Sequence, residues 1–186
     1  ISADRNMGTP EFDDGPTMDS VPDVPAEVLD DTLLATFTTL HLGGPARRIV
    51  VAGTEDQIVQ TVRAADAAGE PLLVLGGGSN VVIGDDGFPG TVCVIRSEGV
   101  DIADGCGAGH VIAEAGEEWD ALVARTVAEG LAGIECLSGI PGSVGATPIQ
   151  NVGAYGQEVA DVVSRVRLLD RHSGEIRELT AGQCGF

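Results

Sequence analysis

The chain has 186 residues, 43% of them hydrophobic, which suffices for one larger core or two smaller ones. Its formal net charge is −19, so nucleic-acid phosphates would be repelled, and we predict no nucleic-acid partner. The sequence has no apolar run of about 18 residues and no signal-peptide pattern. We therefore predict a cytoplasmic protein that has no membrane partner.

The first 35 residues form an acidic segment with little apolar surface. Residues 1–35 contain nine acidic side chains and one basic side chain. Prolines at four positions interrupt any helical period there, namely Pro10, Pro16, Pro22 and Pro25. We predict that residues 1–35 are a disordered acidic leader, or a segment foreign to the natural protein, and that the fold begins near Thr36.

An alternation of strand and helix follows. Arg47–Ala52 is typical of a buried strand, and Thr54 to Gln57 form a capping box that predicts a helix ending at Gly69. Two further apolar runs predict strands, at 71–75 and 91–95. Because strands and a helix alternate, we expect a small parallel or mixed sheet.

The second half favours antiparallel pairing. A strand is predicted at 110–115, and a helix at 117–129 between acidic first-turn residues and Gly130. A hairpin is predicted from 162–170 and 175–179. The inward face of the helix is expected to carry Trp119, Leu122, Val123 and Val127.

These elements predict an α+β fold with two lobes. The first subdomain spans 36–96 and contains the small parallel or mixed sheet. The second subdomain spans 97–186 and is richer in antiparallel pairing. The four cysteines, Cys93, Cys106, Cys136 and Cys184, are too widely spaced for a C-x-x-C motif, so we predict buried reduced thiols and no metal site.

A glycine triplet follows the strand predicted at 71–75. Gly76, Gly77 and Gly78 have no Cβ, so their backbone N–H groups can approach a bulky anion, and Ser79 and Asn80 add side-chain donors. A tight turn is the alternative. The run is not a Rossmann fingerprint, because Val81 occupies the place of the third glycine.

A second glycine-rich run contains no charged residue between Glu135 and Glu158. It is too rich in glycine and proline for an ordinary helix and too apolar for disorder, so we predict a long ordered loop. Its glycines, apolar side chains and amides suit a planar heterocycle such as an isoalloxazine ring. The alternative is a wrap that packs two lobes together. With both runs present, cofactor binding is the better interpretation.

The most specific motifs of the chain are GIPG at 139–142 and QNVGAYGQE at 150–158. These and other segments, over about residues 35–186, resemble the UDP-N-acetylenolpyruvoylglucosamine reductases, also called UDP-N-acetylmuramate dehydrogenases. LGGGSN at 75–80 is shared with the wider superfamily of flavoproteins that resembles vanillyl-alcohol oxidase. Shorter matches are ATF at 35–37, GGPA at 43–46, the glycines of 105–109, and GIE at 133–135.

The resemblance implies an FAD-binding fold of the vanillyl-alcohol-oxidase type, with FAD between two α/β subdomains. It implies that the 75–80 turn holds the FAD diphosphate and that GIPG and NVGAYG line the flavin. The predicted cofactor-binding residues are Leu75, Gly76, Gly77, Gly78, Ser79, Asn80, Val81, Gly139, Ile140, Pro141, Gly142, Ser143, Gly145, Ala146, Gln150, Asn151, Gly153, Ala154 and Tyr155.

The resemblance also implies an oxidoreductase. NADPH passes a hydride to FAD, and the reduced flavin passes it to the enolpyruvyl double bond of a UDP-sugar, giving UDP-N-acetylmuramate for peptidoglycan, and thus for cell-wall growth, cell shape and cell division.

Cys184 to Phe186 resemble the start of a family motif that continues into G-Y-R-x-S, whose arginine is catalytic. The resemblance places the family's proton-donating serine and catalytic glutamate in a further substrate-binding region, so none of the three matches a position here. We expect the second subdomain to be truncated before a substrate-binding domain and this chain alone to be inactive. A stand-alone FAD or nucleotide-binding module and a flavin oxidase of the same superfamily remain alternatives.

Overall fold

The computed structural model describes residues 25–104 and 109–186, without the side chain of Asp104. The predicted disorder of residues 1–24 and the thiol of Cys106 lie outside these ranges. Within them, no helix is long and apolar enough to cross a membrane. Of the cysteines described, Cys93 is buried, whereas Cys136 and Cys184 are partly exposed free thiols, so the prediction of burial is correct only for Cys93.

The first lobe is built on a four-stranded mixed sheet. Its strands are β1 (Glu27–Asp30), β2 (Ala46–Ala52), β3 (Leu72–Leu75) and β4 (Phe88–Ile95), in the order β1-β2-β4-β3. β1 runs antiparallel to β2, whereas β4 is parallel to both β2 and β3. Since Leu75 pairs with Val94, the chain leaves β3 and β4 at the same edge of the sheet.

Helix α1 (Glu55–Ala68) connects β2 to β3 and covers one face of the sheet. The Thr54 hydroxyl accepts a hydrogen bond from the Gln57 N–H at 3.3 Å, which caps the first turn as predicted. Gly69, with φ of 63°, ends the helix in the left-handed conformation. The other face of the sheet carries an apolar core that includes Leu34, Ile49, Leu75, Val92 and Val94.

The predicted start of the fold near Thr36 is wrong. Residues 27–30 pair with β2 along the whole length of β1, and Leu29 packs against the first core. Leu34 is fully buried. The acidic residues of this segment do not prevent strand formation, because Glu27 and Asp30 are exposed while the backbone bonds to the edge of β2.

The second lobe has antiparallel pairs and one longer helix. Strands β5 (Val100–Asp104) and β6 (Gly109–Ala113) pair, and helix α2 (Trp119–Ala128) follows. The predicted long loop contains three-residue 3-10 turns, α3 (Thr147–Gln150) and a small hairpin of β7 (Gly153–Ala154) and β8 (Gln157–Glu158). β9 (Arg165–Asp170), β10 (Glu175–Thr180) and α4 (Ala181–Cys184) complete it.

A second apolar core surrounds α2 and comprises Trp119, Leu122, Val123, Leu137, Val152 and Val159. The predicted inward position of Val127 is wrong, since 52% of its surface is exposed and Thr126 is buried in its place. Trp119, Leu122, Val123 and Thr126 follow the i, i+3, i+4, i+7 spacing of one helix face, and Val127 lies beside that face. The two cores fall on either side of residue 97, but the subdomain boundary itself stays a prediction.

The β9–β10 hairpin contacts α1 through polar groups. Arg167 forms two hydrogen bonds with the Glu55 carboxylate, at 2.6 and 2.9 Å, and Arg171 forms two with Asp66. The Arg63 guanidinium donates to the Gly174 carbonyl at 2.5 Å. These side chains are exposed, so this hairpin is attached to the first lobe by solvent-screened charges.

Candidate functional site

The cradle loop, residues 76–81, leaves the carboxyl end of β3 and contacts the second glycine run directly. A Cβ on Gly77 would lie 2.8 Å from the Gly142 Cα, and one on Gly76 would lie 2.3 Å from the Ser143 Oγ. The Ser79 hydroxyl donates to the Pro141 carbonyl at 3.0 Å. The two glycine runs therefore meet at a place where a side chain on Gly77 would force their backbones apart, whereas one on Gly76 would displace the Ser143 hydroxyl.

The backbone amides of the cradle loop are available to a ligand. From Gly77 to Val81, none of the backbone N–H groups donates a hydrogen bond to another residue that the structure describes. Buried backbone N–H groups almost always have such a partner, and Gly78 is buried. Successive unpaired N–H groups in a turn form a concavity suited to an anion, because several positive ends of amide dipoles lie close together.

The second run is tied to the start of α2 by backbone hydrogen bonds. The Trp119 N–H donates to the Gly142 carbonyl at 3.1 Å, and the Val144 N–H donates to the Glu117 carbonyl at 2.9 Å. The Gly145 N–H donates to the Ala115 carbonyl at 2.8 Å. The position of Gly142 beside the cradle loop thus depends on the same helix that carries the second core.

The carboxylate of Asp120, in the first turn of α2, fixes the beginning of the second run. It accepts hydrogen bonds from the Gly139 N–H and the Ser138 hydroxyl, both at 2.7 Å. These bonds, the Gly139 amide first, lower the pKa of Asp120 because they favour the charged carboxylate. The carboxylate therefore stays ionised and holds the turn before Pro141 near neutral pH.

A cleft of about 490 Å³ lies where the runs meet, and we call it the Arg96 cleft. Arg96 is the single positive side chain among its lining residues and donates from Nη1 to the Gly76 carbonyl at 3.1 Å. Arg96 follows β4 as Gly76 follows β3, which explains their proximity. The cleft is lined by Gly77, Arg96, Glu98, Gly116, Glu117, Glu118, Ala121, Gly142 and Ser143.

A second cleft, of about 700 Å³, lies farther along the glycine-rich run, and we call it the Asn151 cleft. Asn151 has a φ of 42° and uses its amide inside the chain: it donates to Glu158 at 3.1 Å and accepts from the Ala160 N–H at 3.3 Å. The Asn151 amide thus has one donor and one acceptor position engaged within the chain, and its role toward a cofactor stays a prediction. The cleft is lined by Asn151, Gly153, Ala154, Tyr155, Gly156, Gln157, Glu158 and Asp161.

Not every predicted cofactor residue offers its side chain to a ligand. Leu75 is buried in the first core, against which Val81 packs, and Ile140 packs against the second core. Tyr155 is 94% exposed, so its ring is free to contact a ligand in the Asn151 cleft. Ile149, expected to form an apolar wall, is 85% exposed. The Gln150 amide donates weakly to the Ala146 carbonyl at 3.4 Å.

The structure places part of the predicted set at the two clefts. Gly76, Gly77 and Ser79 lie against 141–143 beside the Arg96 cleft. The Asn151 cleft is lined by Asn151, Gly153, Ala154 and Tyr155. Arg96 was missed by sequence reasoning. A signal existed, because a basic residue directly after a predicted strand lies at the same sheet edge as the glycine run when the strands are parallel.

Comparison with known proteins identifies the family. The model of FAD binding domains matches residues 46–180, which include both glycine runs and Arg96. The chain belongs to this family of FAD-binding domains. The predicted cofactor class, FAD, is confirmed at the level of the family.

Individual relatives confirm the resemblance found in the sequence. UDP-N-acetylenolpyruvoylglucosamine reductase of Nocardia farcinica is 58% identical over 161 residues, which are 87% of this chain and 41% of that protein. The chain thus spans less than half the length of this curated relative. The crystal structure of the reductase from Thermus caldophilus matches with a TM-score of 0.67 and 28% identity, covering 87% of this chain and 54% of that one.

The predicted fold class is also confirmed. A VAO-type flavoprotein from Myceliophthora thermophila matches with a TM-score of 0.58 over 74% of this chain and 27% of its own. Its identity of 19% shows a shared fold alone. The mixed sheet followed by antiparallel pairs agrees with the two-lobed arrangement that the sequence predicts.

Proposed function

We propose that this chain is the FAD-binding part of a UDP-N-acetylenolpyruvoylglucosamine reductase. The observation that carries the proposal is the cradle loop, where unpaired backbone amides from Gly77 to Val81 lie beside a cleft and the glycines admit no side chain. This arrangement fits a diphosphate, which offers several oxygen acceptors and needs close backbone approach.

The chain's own residues have distinct tasks in this proposal. Gly77 to Asn80 bind diphosphate oxygens through backbone N–H groups. The Trp119 backbone N–H donates to the Gly142 carbonyl and so keeps the second run against the cradle loop without a ligand in the cleft. Residues 153–155 line the Asn151 cleft, where the exposed Tyr155 ring offers a flat contact for another part of the cofactor.

The activity proposed for the whole protein follows from its relatives. When bound, FAD would supply hydride transfer between NADPH and the enolpyruvyl double bond of a UDP-sugar, a reduction that gives UDP-N-acetylmuramate for peptidoglycan. We place that enzyme in the cytoplasm, with no membrane or nucleic-acid partner and with roles in cell-wall growth, cell shape and cell division. Since 41% of the Nocardia relative is covered, we assign catalytic proton transfer to parts of the reductase outside this span.

A binding experiment tests the proposal. The purified 186-residue chain is titrated with FAD by isothermal calorimetry and by flavin fluorescence, and we expect one FAD per chain. NADPH oxidation with the enolpyruvyl UDP-sugar is then measured, and we expect none without the rest of the reductase. Absence of FAD binding by a folded chain contradicts the proposal.

Two other outcomes separate the alternatives. In one experiment, the part of a relative that this chain does not cover is fused to the chain. Tight FAD binding without any gain of turnover in the fusion indicates a stand-alone binding module. Oxygen-dependent reoxidation of the flavin with a substrate other than a UDP-sugar indicates an oxidase. The high identity to named reductases favours neither of these alternatives.

A further inference from the structure

The charge of the Arg96 cleft conflicts with its use as a diphosphate site. The chain has a formal net charge of −19, and three glutamates, Glu98, Glu117 and Glu118, line this cleft. Backbone amides are dipoles and do not cancel such a field at an anion. A nearby full positive charge would offset the glutamates and strengthen the binding of a diphosphate to these amides.

Arg96 is the one side chain of the cleft lining that supplies this charge. Its Nη1 bonds the Gly76 and Ile95 carbonyls, at 3.1 and 2.9 Å. The guanidinium forms no ion pair with a carboxylate of any residue that the structure describes, although glutamates line the same cleft. Its Nε and Nη2 groups therefore keep hydrogen-bonding capacity for a ligand.

The Ser143 hydroxyl is a second unused donor in the cleft. Ser143 is 4% exposed, and its hydroxyl bonds to no other described residue. It lies over Gly76, where a Cβ would come within 2.3 Å of Oγ. Arg96 holds the carbonyl of the same glycine, so the cation and the hydroxyl flank one residue of the cradle loop.

Glu117 is already engaged inside the chain. Its Oε1 accepts a hydrogen bond from the Gly99 N–H at 2.6 Å, which leaves it less free to compete for Arg96. Glu98 and Glu118 are exposed to solvent, where water and salt screen them. The opposing charges therefore weaken an anion site in the cleft without abolishing it.

We propose that Arg96 is the residue that positions the FAD diphosphate, by placing its free guanidinium nitrogens on phosphate oxygens while Nη1 fixes the Gly76 carbonyl. This inference rests on the proposed function, because it assigns a role within the FAD site. It predicts that replacing Arg96 changes the affinity for ligands that carry the diphosphate and leaves the affinity for the flavin part alone nearly unchanged.

The test compares Arg96→Gln with Arg96→Lys and with Arg63→Gln as the matched control. Arg63 is also an arginine that donates to a backbone carbonyl, that of Gly174, but it lies on α1 away from the cleft. Dissociation constants of the 186-residue chain are measured for FAD, ADP and riboflavin at low and high NaCl. ADP carries the diphosphate without flavin, and riboflavin carries the flavin without diphosphate.

We expect Arg96→Gln to weaken FAD and ADP binding by about tenfold, the size of one lost charge-assisted hydrogen bond. Riboflavin binding should change little, and the weakening of FAD binding by salt should become smaller. Arg96→Lys should recover part of the affinity because it restores the charge, and Arg63→Gln should bind like the unchanged protein.

Two results overturn the assignment. If Arg96→Gln binds FAD with unchanged affinity and salt dependence, Arg96 does not contact the diphosphate. If affinity falls equally for riboflavin and FAD, and Arg96→Lys gives no recovery, Arg96 acts only on the shape of the loop. Failure of the unchanged chain to bind FAD contradicts the proposed function itself, which distinguishes the two cases.

Discussion

The cradle loop (76–81) and the Asn151 loop (150–161) differ in where their polar groups are used. In the cradle loop, the backbone N–H groups from Gly77 to Val81 have no partner among the described residues. In the Asn151 loop, the amide of Asn151 is bonded at both ends. Glycine and asparagine in a loop are compatible with either case. Bonding within the chain decides which of these donors are still free to bind a ligand.

The largest effect is expected from Gly77→Val in the cradle loop. The new Cβ would lie 2.8 Å from the Gly142 Cα, which is backbone and cannot rotate away. The two runs would have to separate, and FAD affinity should fall by about a hundredfold. Flavin fluorescence titration measures the effect. Gly84→Ala is the control, because no atom lies within 4 Å of its added Cβ. Equal FAD affinities for both variants would show that the contact between the runs is irrelevant.

Asn151→Leu should damage folding more than ligand binding. It removes hydrogen bonds with Glu158 and Ala160 and places a branched side chain at a φ of 42°. We expect the free energy of unfolding to fall by roughly 2 kcal/mol. Urea denaturation measures it, and Asn151→Gly is the comparison that relieves the backbone strain without restoring the amide. A fall in FAD affinity at unchanged stability would reverse our distinction between the loops.

A smaller effect, of opposite sign, is expected from Glu98→Gln. Removing one negative charge from the Arg96 cleft should strengthen FAD binding by about two- to threefold. Glu129→Gln, at the other end of α2, removes the same charge away from the cleft lining. Calorimetric titration at low salt compares the two. An equal gain in both variants would mean that overall charge, and not the cleft, governs binding.

The smallest effect concerns the hairpin, which belongs to neither loop. The hydrogen bond from Arg167 lowers the pKa of Glu55 below its ordinary value of 4.5. The stabilisation that the ionised Glu55 gives to the folded state is therefore complete above pH 4.5, the ordinary pKa of the group. It is lost as the pH falls through the lower pKa that Glu55 has in the folded state. Glu55→Gln should cost about 0.5 kcal/mol of unfolding free energy at neutral pH and nothing below the folded-state pKa.

Urea denaturation at neutral and acidic pH checks this dependence. Asp56→Asn is the control, because it removes a neighbouring first-turn charge from α1. Both variants losing the same stability at neutral pH would argue that the helix terminus, and not the ion pair with Arg167, is responsible.

Much of the fold could be predicted because its signals are local. The helix between Thr54 and Gly69 has a cap at each end, and the glycine run after β3 follows a short apolar strand. β1 was missed because its strand character comes from β2, a partner distant in sequence. The contact of Gly77 with Gly142 was also unpredictable, since it depends on how two lobes pack.

The site shows the same limit. Sequence alone predicts a phosphate cradle at 76–80, and the structure places an unpaired amide run there. Sequence alone also assigned Asn151 to a ligand, and only the three-dimensional position of Glu158 reveals its internal partner. A side chain's type fixes what it can bond, whereas the fold decides whether that capacity is still free.

Trp119 is the chain's one tryptophan, and it joins the second core to the Arg96 cleft. Its indole Nε1 donates to the Leu137 carbonyl at 3.0 Å, while its backbone N–H holds Gly142. The chain thus carries an intrinsic optical reporter beside the proposed site. Indole emission overlaps the absorption of an oxidised flavin, so FAD binding should quench the fluorescence of Trp119. The fractions of ligand-free and ligand-bound chain can then be measured without a label.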